Sequence, residues 1–536
     1  MEGSVATQDV NIGRIVAVSG AQVVVLLHGG SAGANEAQQK LQIGALVKVN
    51  VSGFVVFGIV GGLSIPVPAH DNSTSEYGLA EVELLGECHI NGEQKLSDFC
   101  RGVSVMPSLG DEVVPTNQTD LSLVYATTPL TSVRVGSVHQ DRNLAACVVT
   151  DDLLGKHFAI LGATGCGKSC AVVTILRAIL NRFTHGHILL LDMHSEYASA
   201  FSDIAENLDT TTLKLPYWLL TFAEFEEIVL GGENNDRGSM AAIFSDVIVA
   251  AKKIMLSDSK LRERVTPDMP VPYRLSDVTR LIDEEVGRLD KTLKSTPYLR
   301  LKALIETIRI DSRFGFMFPG IGVRDNMVAI LSQFFRVPVA GKPITILDLS
   351  GVPSEILNIV ISVLCRMTFE FSLWNERAMP VTLVCEEAHR YAPREVNRGF
   401  EPAKLALSRI AREGRKYGVS LCVVSQRPSE LAPEVLSQCN TIFAMRMSNQ
   451  NDQAFVQAML ADSAFRLLDV LPSLGNAEAI AIGEGVSVPV RICFDEIPED
   501  QRPRSGTAAF SSAWSEDVKD EKFIETVVER WRNQGQ

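Results

Sequence analysis

Residues 162–169 read GATGCGKS and match the pattern GxxxxGK[ST] in full. The apolar run HFAIL (157–161) precedes this motif, and SCAVVTILRAIL (169–180) follows it with the pattern of a helix. Glycines in such a strand–loop–helix unit let backbone N–H groups surround a phosphate chain at a helix N-terminus, where the helix dipole favours anions. A chance glycine-rich turn is the alternative, but strand, loop and helix are all present. The segment therefore predicts a P-loop.

The P-loop predicts ATP and Mg²⁺ as ligands. Lys168 is expected to reach the β and γ phosphates, and the hydroxyl of Ser169 is expected to bind Mg²⁺. The residues predicted to contact the nucleotide are Gly162, Ala163, Thr164, Gly165, Cys166, Gly167, Lys168, Ser169 and Cys170.

A second motif, VTLVCEEAH at residues 381–389, is an apolar strand that ends in two carboxylates. This is the shape of a Walker B element, in which the first carboxylate holds the Mg²⁺ shell and the second orients or activates water. We assign the metal role to Glu386 and the catalytic role to Glu387. The usual first residue is Asp, and Glu386 lengthens that arm by one methylene. The alternative, a strand end with two solvated acids, is disfavoured because a P-loop requires such a partner.

A third element, SQRP at residues 425–428, follows the next predicted strand. An amide at this position can contact the γ-phosphate or the attacking water, so Gln426 is a candidate sensor. An ordinary strand-end turn is the alternative.

Three arginines lie on the helix before that strand, at a spacing of three residues that puts them on one face: Arg409, Arg412 and Arg415. One of them is a candidate arginine finger, which stabilises transition-state charge on the nucleotide of a neighbouring subunit. Arg412 and Arg415 are the predicted catalytic members, and Arg415 is preferred because it lies nearest the sheet edge. Structural ion pairing is the alternative for each.

The first 135 residues differ in character from the rest of the chain. Short β-branched runs alternate with Gly, Pro and Asn, which predicts a small antiparallel barrel. The predicted strands are 13–18, 22–27, 46–51, 54–60 and 81–85.

From about residue 136, strands alternate with helices, and the apolar strands are typical of a mostly parallel sheet covered on both faces. The predicted strands are 158–161, 187–192, 344–349, 381–385, 420–425, 441–447 and 477–482. The predicted fold is α/β: a RecA-like P-loop core with a helical insertion and an N-terminal barrel. The predicted domains are 1–135 (barrel), 136–219 with 336–497 (core), 220–335 (mostly helical insertion) and 498–536 (linker and amphipathic helix).

The 536 residues carry 50 basic and 64 acidic side chains, a net charge of −14 that does not favour a nucleic-acid partner. The distribution is uneven, however. Residues 390–416 hold eight Lys/Arg and three Glu, and residues 251–310 hold thirteen Lys/Arg and nine acids. These stretches either face a nucleic-acid channel or form solvated helix faces. Arg394 and Arg398, after the Walker B strand, are candidate DNA contacts.

Composition and patterning predict a cytoplasmic protein without a membrane partner. No run of 18 or more apolar residues occurs, and the N-terminus lacks the basic and apolar regions of a secretory signal. The ten cysteines are scattered, without a CxxC pair, so neither disulfides nor a zinc site are expected.

These residues, in this order, resemble the HerA family of hexameric DNA translocases, which are related to the FtsK and conjugative-transfer ATPases. The resemblance covers most of residues 9–495. The segments that carry it are KHFAIL (156–161), DMHSEY (192–197), LPYWL (215–219), EEAH (386–389) and GNAEA (475–479), with weaker marks at NIGR (11–14) and PSLG (107–110). EEAH matches the family's own form of Walker B, which accounts for Glu386.

The resemblance implies a homo-oligomeric ring, expected to be a hexamer, with ATP sites at its interfaces and double-stranded DNA in its channel. It also implies a separate effector that docks on the barrel: a NurA-like nuclease in end processing, or a nuclease or sirtuin-like NADase in anti-phage defence.

Two other functions are compatible with these motifs. The chain is alternatively an ATP-gated ring scaffold that assembles and activates a separate effector with little translocation of its own. A secretion-type ATPase is weakened because no membrane segment is visible.

Overall fold

A computed structural model describes residues 11–28, 41–65, 77–91, 96–127, 130–231, 236–288, 292–318, 323–395, 401–459, 466–504, 510–515 and 521–532. Arg398, one of the candidate DNA contacts, lies outside these ranges. The chain divides into two compact units. Unit 1 comprises Met1–Phe183 and Ser420–Ile497, and unit 2 comprises Thr184–Val419 and Pro498–Gln536.

The N-terminal part of unit 1 is a closed antiparallel barrel. Its strands are β1 (Gly13–Ser19), β2 (Gln22–Leu27), β3 (Leu46–Val51), β4 (Phe54–Ser64), β5 (Leu79–His89), β6 (Cys100–Arg101) and β7 (Glu112–Pro115). The strand order is β2-β1-β7-β3-β4-β5, and pairing of β2 with β5 closes the ring, while β6 adds to β5. Alternating β-branched residues, among them Ile15, Val25 and Val49, form the buried interior.

The rest of unit 1 holds one half of the predicted core. Its strands are β8 (Ser132–Val138), β9 (Asp141–Val149), β10 (Phe158–Leu161), β15 (Val419–Ser425), β16 (Thr441–Met445), β17 (Glu478–Gly483) and β18 (Val490–Phe494). β10 pairs in parallel with both β15 and β16, whereas β17, β18, β8 and β9 extend the sheet in antiparallel fashion. The predicted boundary between residues 135 and 136 falls inside β8.

Direct contacts join the barrel to this sheet within unit 1. Arg101 donates from Nη2 to the carbonyl oxygen of Gly483 at 2.7 Å and from Nε to that of Ser487 at 2.5 Å. The helices of unit 1 are α1 (Gln118–Val124), α2 (Thr150–Leu154), α3 (Lys168–Arg182), α12 (Pro433–Leu436) and α13 (Gln450–Met459).

Unit 2 is built on four parallel strands in the order β12-β13-β11-β14. They are β11 (Ile188–Asp192), β12 (Ala205–Leu208), β13 (Ile344–Asp348) and β14 (Val381–Cys385). β11 and β14 are buried along their whole length, which is why both are near-continuous apolar runs in the sequence.

Helices make up the remaining regular structure of unit 2. They are α4 (Phe222–Leu230), α5 (Arg237–Met255), α6 (Ser259–Arg264), α7 (Leu275–Arg288), α8 (Thr292–Ile310), α9 (Met327–Phe334), α10 (Ser354–Trp374), α11 (Glu401–Tyr417), α14 (Phe510–Ser515) and α15 (Glu521–Arg532). The described residues between 220 and 335 contain helices and loops but no strand. A buried ion pair between Arg366 and Glu224 (3.0 Å) ties α4 to α10. The predicted fold class is thus confirmed.

Helix α10 is apolar enough, over residues 356–374, to cross a membrane by length and composition, with a mean hydropathy of 1.6. However, 72% of its most apolar window is buried inside the protein, where α10 packs on α11, α4 and β14. Burial therefore accounts for its composition.

The C-terminal helix α15 is amphipathic, as its spacing predicts. Its apolar side chains Ile524, Val527 and Trp531 are exposed, Trp531 to 80%.

Candidate active site

The P-loop joins β10 to α3 in unit 1, and its glycines occupy positions that other residues would strain. Gly165 and Gly167 have φ angles of 76° and 99°, in the left-handed region that favours glycine. A Cβ on Gly162 would lie 2.7 Å from Sγ of Cys166 and 2.8 Å from Cβ of Met445. The loop leads into the first turn of α3, at the end of the helix whose dipole favours an anion.

Two predicted catalytic side chains lie at this loop. The Lys168 amine donates to the carbonyl oxygen of Ala163 at 3.1 Å, which holds it folded back over the loop. The Thr164 hydroxyl donates to Oε1 of Gln426, directly after β15. The structure therefore brings Gln426 to the P-loop, although 262 residues separate it from Thr164. Ser169 and Cys170 follow Lys168 in the first turn of α3, and both are half-buried.

A turn before β17 is hydrogen-bonded to the P-loop. The backbone N–H of Ala477 donates to the carbonyl oxygen of Cys166 at 3.0 Å. Oε2 of Glu478 holds this turn, because it accepts from the N–H of Gly475 at 2.9 Å and from Nη2 of Arg491 at 2.7 Å. Burial raises the pKa of Glu478, but these bonds outweigh it and lower the pKa to about 2.

The other oxygen of Glu478 faces two further side chains. Nδ1 of His139 lies 3.3 Å from Oε1, and Sγ of Cys493 lies 3.4 Å from it. Metal-ligating atoms of the three residues lie within 4.8 Å of one another, a grouping that the sequence did not predict. Because Arg491 already pairs with Glu478, the charge of the carboxylate is balanced without an ion.

A second cation lies beside the loop. Arg446 directly follows β16, and its carbonyl oxygen accepts from the N–H of Ala163 at 2.8 Å. Burial raises the pKa of the Cys166 thiol, and the charges of Lys168 and Arg446 oppose that shift. The positive field of the loop thus comes from two side chains as well as from the helix.

The Walker B strand β14 ends in unit 2 at a buried acidic edge. Oε1 of Glu386 accepts from the Tyr197 hydroxyl at 3.1 Å. Asp192, at the end of the adjacent strand β11, accepts from three backbone N–H groups, those of His194 (3.1 Å), Glu196 (3.2 Å) and Tyr197 (2.9 Å). Tyr197 therefore links the two carboxylates through its backbone and its hydroxyl.

The electrostatics of this edge favour a cation. Burial, followed by the charges of Asp192, Glu196 and Glu387, raises the pKa of Glu386 well above its ordinary value, while the bond from Tyr197 opposes the shift. Burial also raises the pKa of Asp192, although its three hydrogen bonds from backbone N–H groups oppose the shift. Oε2 of Glu386 is buried and has no hydrogen-bond partner among the described residues. Carboxylate oxygens crowded in this way fit Mg²⁺, which would relieve their repulsion.

Glu387 has a distinct backbone conformation. Its φ of 48° and ψ of 42° are left-handed, which sharply redirects the chain after β14. Its side chain is buried, and Oε2 lies 3.2 Å from Nδ1 of His389. This contact could not be predicted from the sequence.

The three arginines of α11 have different surroundings within unit 2. Arg409 lies over the ring of Phe369, 4.2 Å from its centroid, and Nε of Arg412 donates to the carbonyl oxygen of Ser408 at 3.3 Å. Arg415 is exposed, and its guanidinium has no ion-pair or hydrogen-bond partner within the described ranges. Of the three, Arg415 is the one left available to a neighbour. Arg394 is exposed as well.

Sequence reasoning missed Asp192, Tyr197, Arg446 and Glu478 as members of these sites. Asp192 is the last residue of β11, and Arg446 directly follows β16. Both therefore lie at the carboxyl end of a buried strand with a parallel neighbour, and the rule that placed Glu386 would have found both. Glu478 carried no such signal, since its role depends on a turn.

Comparisons with known proteins agree with this geometry. A family model described as "Helicase HerA, central domain" matches residues 133–368. A probable DNA double-strand break repair helicase HerA from Methanocaldococcus jannaschii is 27% identical over 86% of this chain and 92% of its own length. HerA from Pyrococcus furiosus is 25% identical (79% and 77%), and HerA from Sulfolobus acidocaldarius is 24% identical (94% and 98%).

A solved VirB4 structure from Thermoanaerobacter pseudethanolicus aligns over 70% of this chain and 100% of that chain, at 15% identity and a TM-score of 0.49. The relatives named HerA match over most of both chains. The HerA central-domain model covers the P-loop and β11 but ends before the Walker B strand β14. The chain is therefore a P-loop ATPase that is similar to HerA helicases over most of its length.

Proposed function

We propose that the chain is an ATP-driven motor that translocates on double-stranded DNA, and that it works in DNA end processing or in defence. One observation carries the ATPase activity. The chain has both a P-loop, over which Lys168 is already folded, and a buried acidic strand end at Glu386 and Glu387. The relatives named DNA double-strand break repair helicases support DNA as the substrate.

In this proposal, bound ATP takes the Lys168 amine away from the carbonyl oxygen of Ala163, and Lys168 then neutralises the β and γ phosphates. Gln426 leaves Thr164 to contact the γ-phosphate or the attacking water. Glu387 orients that water and accepts its proton. Ser169, Glu386 and Asp192 are the residues that would hold Mg²⁺, which screens phosphate charge when bound.

The finer parts of the proposal concern assembly. The chain forms a ring, expected to be a hexamer, in which Arg415 of one subunit reaches the nucleotide of the next. The exposed position of Arg415 supports this role, because a trans finger must be free of partners in its own subunit. A separate effector, a nuclease or another defence enzyme, docks on the barrel.

A triplex-displacement assay tests the motor. The purified chain is mixed with ATP and a long duplex that carries a third strand in its major groove, and release of the third strand is followed over time. A translocase releases it in an ATP-dependent manner, and the Glu387→Gln variant does not. ATP hydrolysis without any release would contradict translocation and favour the scaffold alternative.

A further inference from the structure

A cationic groove lies in unit 2, next to the acidic edge, because Asp348 at its rim pairs in register with Asp192. Its volume is about 1340 Å³. Its walls are the segment after β12 (residues 210–218), the segment after β13 (350–353), the turn after α8 (311–316) and the segment before α9 (323–326), and the last residue of α15, Arg532, adds to its lining. The groove thus opens at the carboxyl ends of two parallel strands, the edge at which α/β sheets bind ligands.

The charge of the groove is positive although the chain carries −14 overall. Lys214, Arg324 and Arg532 are exposed and have no ion-pair or hydrogen-bond partner in the part of the chain that the structure describes. Arg313 pairs with Asp311 at 2.7 Å, so those two charges cancel. The lining residues therefore carry a net charge of +3, from four cations and one carboxylate, while Asp209 and Asp348 lie just outside the lining.

The polar lining adds hydroxyl and amide groups. Oδ1 of Asn326 is buried and without a hydrogen-bond partner among the described residues. Thr211 and Ser350 stand at the rim, where each hydroxyl bonds to an aspartate of its own turn, Asp209 or Asp348.

The shape argues for an extended polyanion over a small one. The volume exceeds the roughly 300–1,000 Å³ typical of small-molecule sites. The aromatic floor is already occupied by packing, since Tyr217 stacks on Phe318 with ring centroids 5.3 Å apart and Trp218 is only 2% exposed. The remaining ring among the described lining residues is that of Phe316, which is half-buried. Most contacts therefore fall to the cations and polar groups, which bind phosphates without regard to sequence.

We propose that this groove, through Lys214, Arg324 and Arg532, binds the sugar–phosphate backbone of DNA. The inference rests on the proposed action on DNA and names a contact surface for it outside the basic stretches at 251–310 and 390–416. Each cation that neutralises a phosphate releases counterions, so each contributes about one unit to the slope of log K against log salt.

The test measures binding of a fluorescent 30-base-pair duplex at several salt concentrations, without nucleotide. The variants are Lys214→Gln, Arg324→Gln and the double variant. The control is Arg142→Gln, at an exposed arginine of β9 that lies outside the groove and outside both basic stretches. The slope should fall by about 1 in each single variant and by about 2 in the double variant, and it should stay unchanged in the control. Unaltered melting curves establish that the variants fold.

Three outcomes would count against the proposal. Equal slopes in all variants, with good binding by the unmodified chain, would overturn the groove but leave the motor intact. Failure of the unmodified chain to bind duplex even at low salt would overturn both. Saturable ATP binding to a Lys168→Ala chain that Lys214→Gln abolishes would show a nucleotide pocket in place of a DNA groove.

Discussion

The backbone N–H of Ala477 donates to the carbonyl oxygen of Cys166 at 3.0 Å, so the turn before β17 fixes the middle of the P-loop. Glu478 holds that turn through Gly475 and Arg491. A phosphate-binding loop works best when its N–H groups are already in place before the ligand arrives, since ordering them on binding costs free energy. Glu478 is thus expected to act on ATP affinity without touching ATP.

The Glu478→Ala variant tests this positioning role. The variant loses the hydrogen bonds that hold the turn, and one such bond contributes about 1 kcal/mol. The KM for ATP should therefore rise about five-fold, while kcat should change little. Steady-state kinetics measure both constants. Glu484→Ala, at the other end of β17 and paired with Lys156, is the control. A lower kcat at unchanged KM would refute a role in positioning the loop.

Replacement of Glu387 by Gln should separate binding from hydrolysis. The amide keeps the size of the side chain but cannot accept a proton from water, so kcat should fall by a factor of about 100 or more. ATP binding, measured by calorimetry, should remain. Glu376→Gln, an exposed acid after α10, is the matched control and should hydrolyse normally. Normal turnover by Glu387→Gln would remove Glu387 from the catalytic role.

The arginine finger can be tested by mixing subunits. Arg415→Ala and Glu387→Gln chains should each be inactive alone, because every interface lacks one group. Mixed rings contain some interfaces with both groups, so ATPase activity should reappear and peak at intermediate ratios. Arg409→Ala should remain active alone, since Arg409 packs on Phe369. Absence of activity at every ratio would leave Arg415 without support.

The barrel should lose stability as pH rises. Burial raises the pKa of Glu83 from 4.5 to about 7, so the folded state keeps a proton that the unfolded chain releases. This proton uptake stabilises the folded barrel fully below pH 4.5. The contribution to the free energy of unfolding, about 2 kcal/mol, is lost as pH rises through 7.

Thermal unfolding at pH 5 and pH 8 measures this effect. The unfolding temperature should be lower at pH 8, and Glu83→Gln should shrink the difference, whereas Glu81→Gln on the same strand should not. An equal pH dependence in Glu83→Gln and the unmodified chain would contradict the assignment.

Most of the fold could be predicted because it is encoded in local patterns. Buried strands such as β10, β11 and β14 are apolar runs, and the insertion has helical periodicity. The direction of β17 could not be predicted. A strand buried on both faces is apolar along its whole length, whether its neighbours are parallel or antiparallel. Strands β8 and β9, the last two at one end of the sheet, were missed since they are only partly buried and resemble barrel strands.

The site could be predicted where its functional residues are consecutive in the sequence, as in the P-loop and at Glu386 and Glu387. It was not predictable where it depends on distant parts of the chain. Gln426 was inferred from its strand end, but its bond to Thr164 required the fold. The contacts of Ala477 with Cys166 and of Tyr197 with Glu386 join segments more than 180 residues apart, and no spacing rule connects them.

The ATPase rate of the purified chain, with and without linear duplex DNA and at two salt concentrations, tests the central claim most directly. A motor that tracks phosphates should hydrolyse ATP faster with DNA, and the stimulation should fade as salt rises because counterions compete for the backbone. Lys168→Ala should show no hydrolysis under any condition. A rate that DNA leaves unchanged at both salt concentrations would contradict the motor.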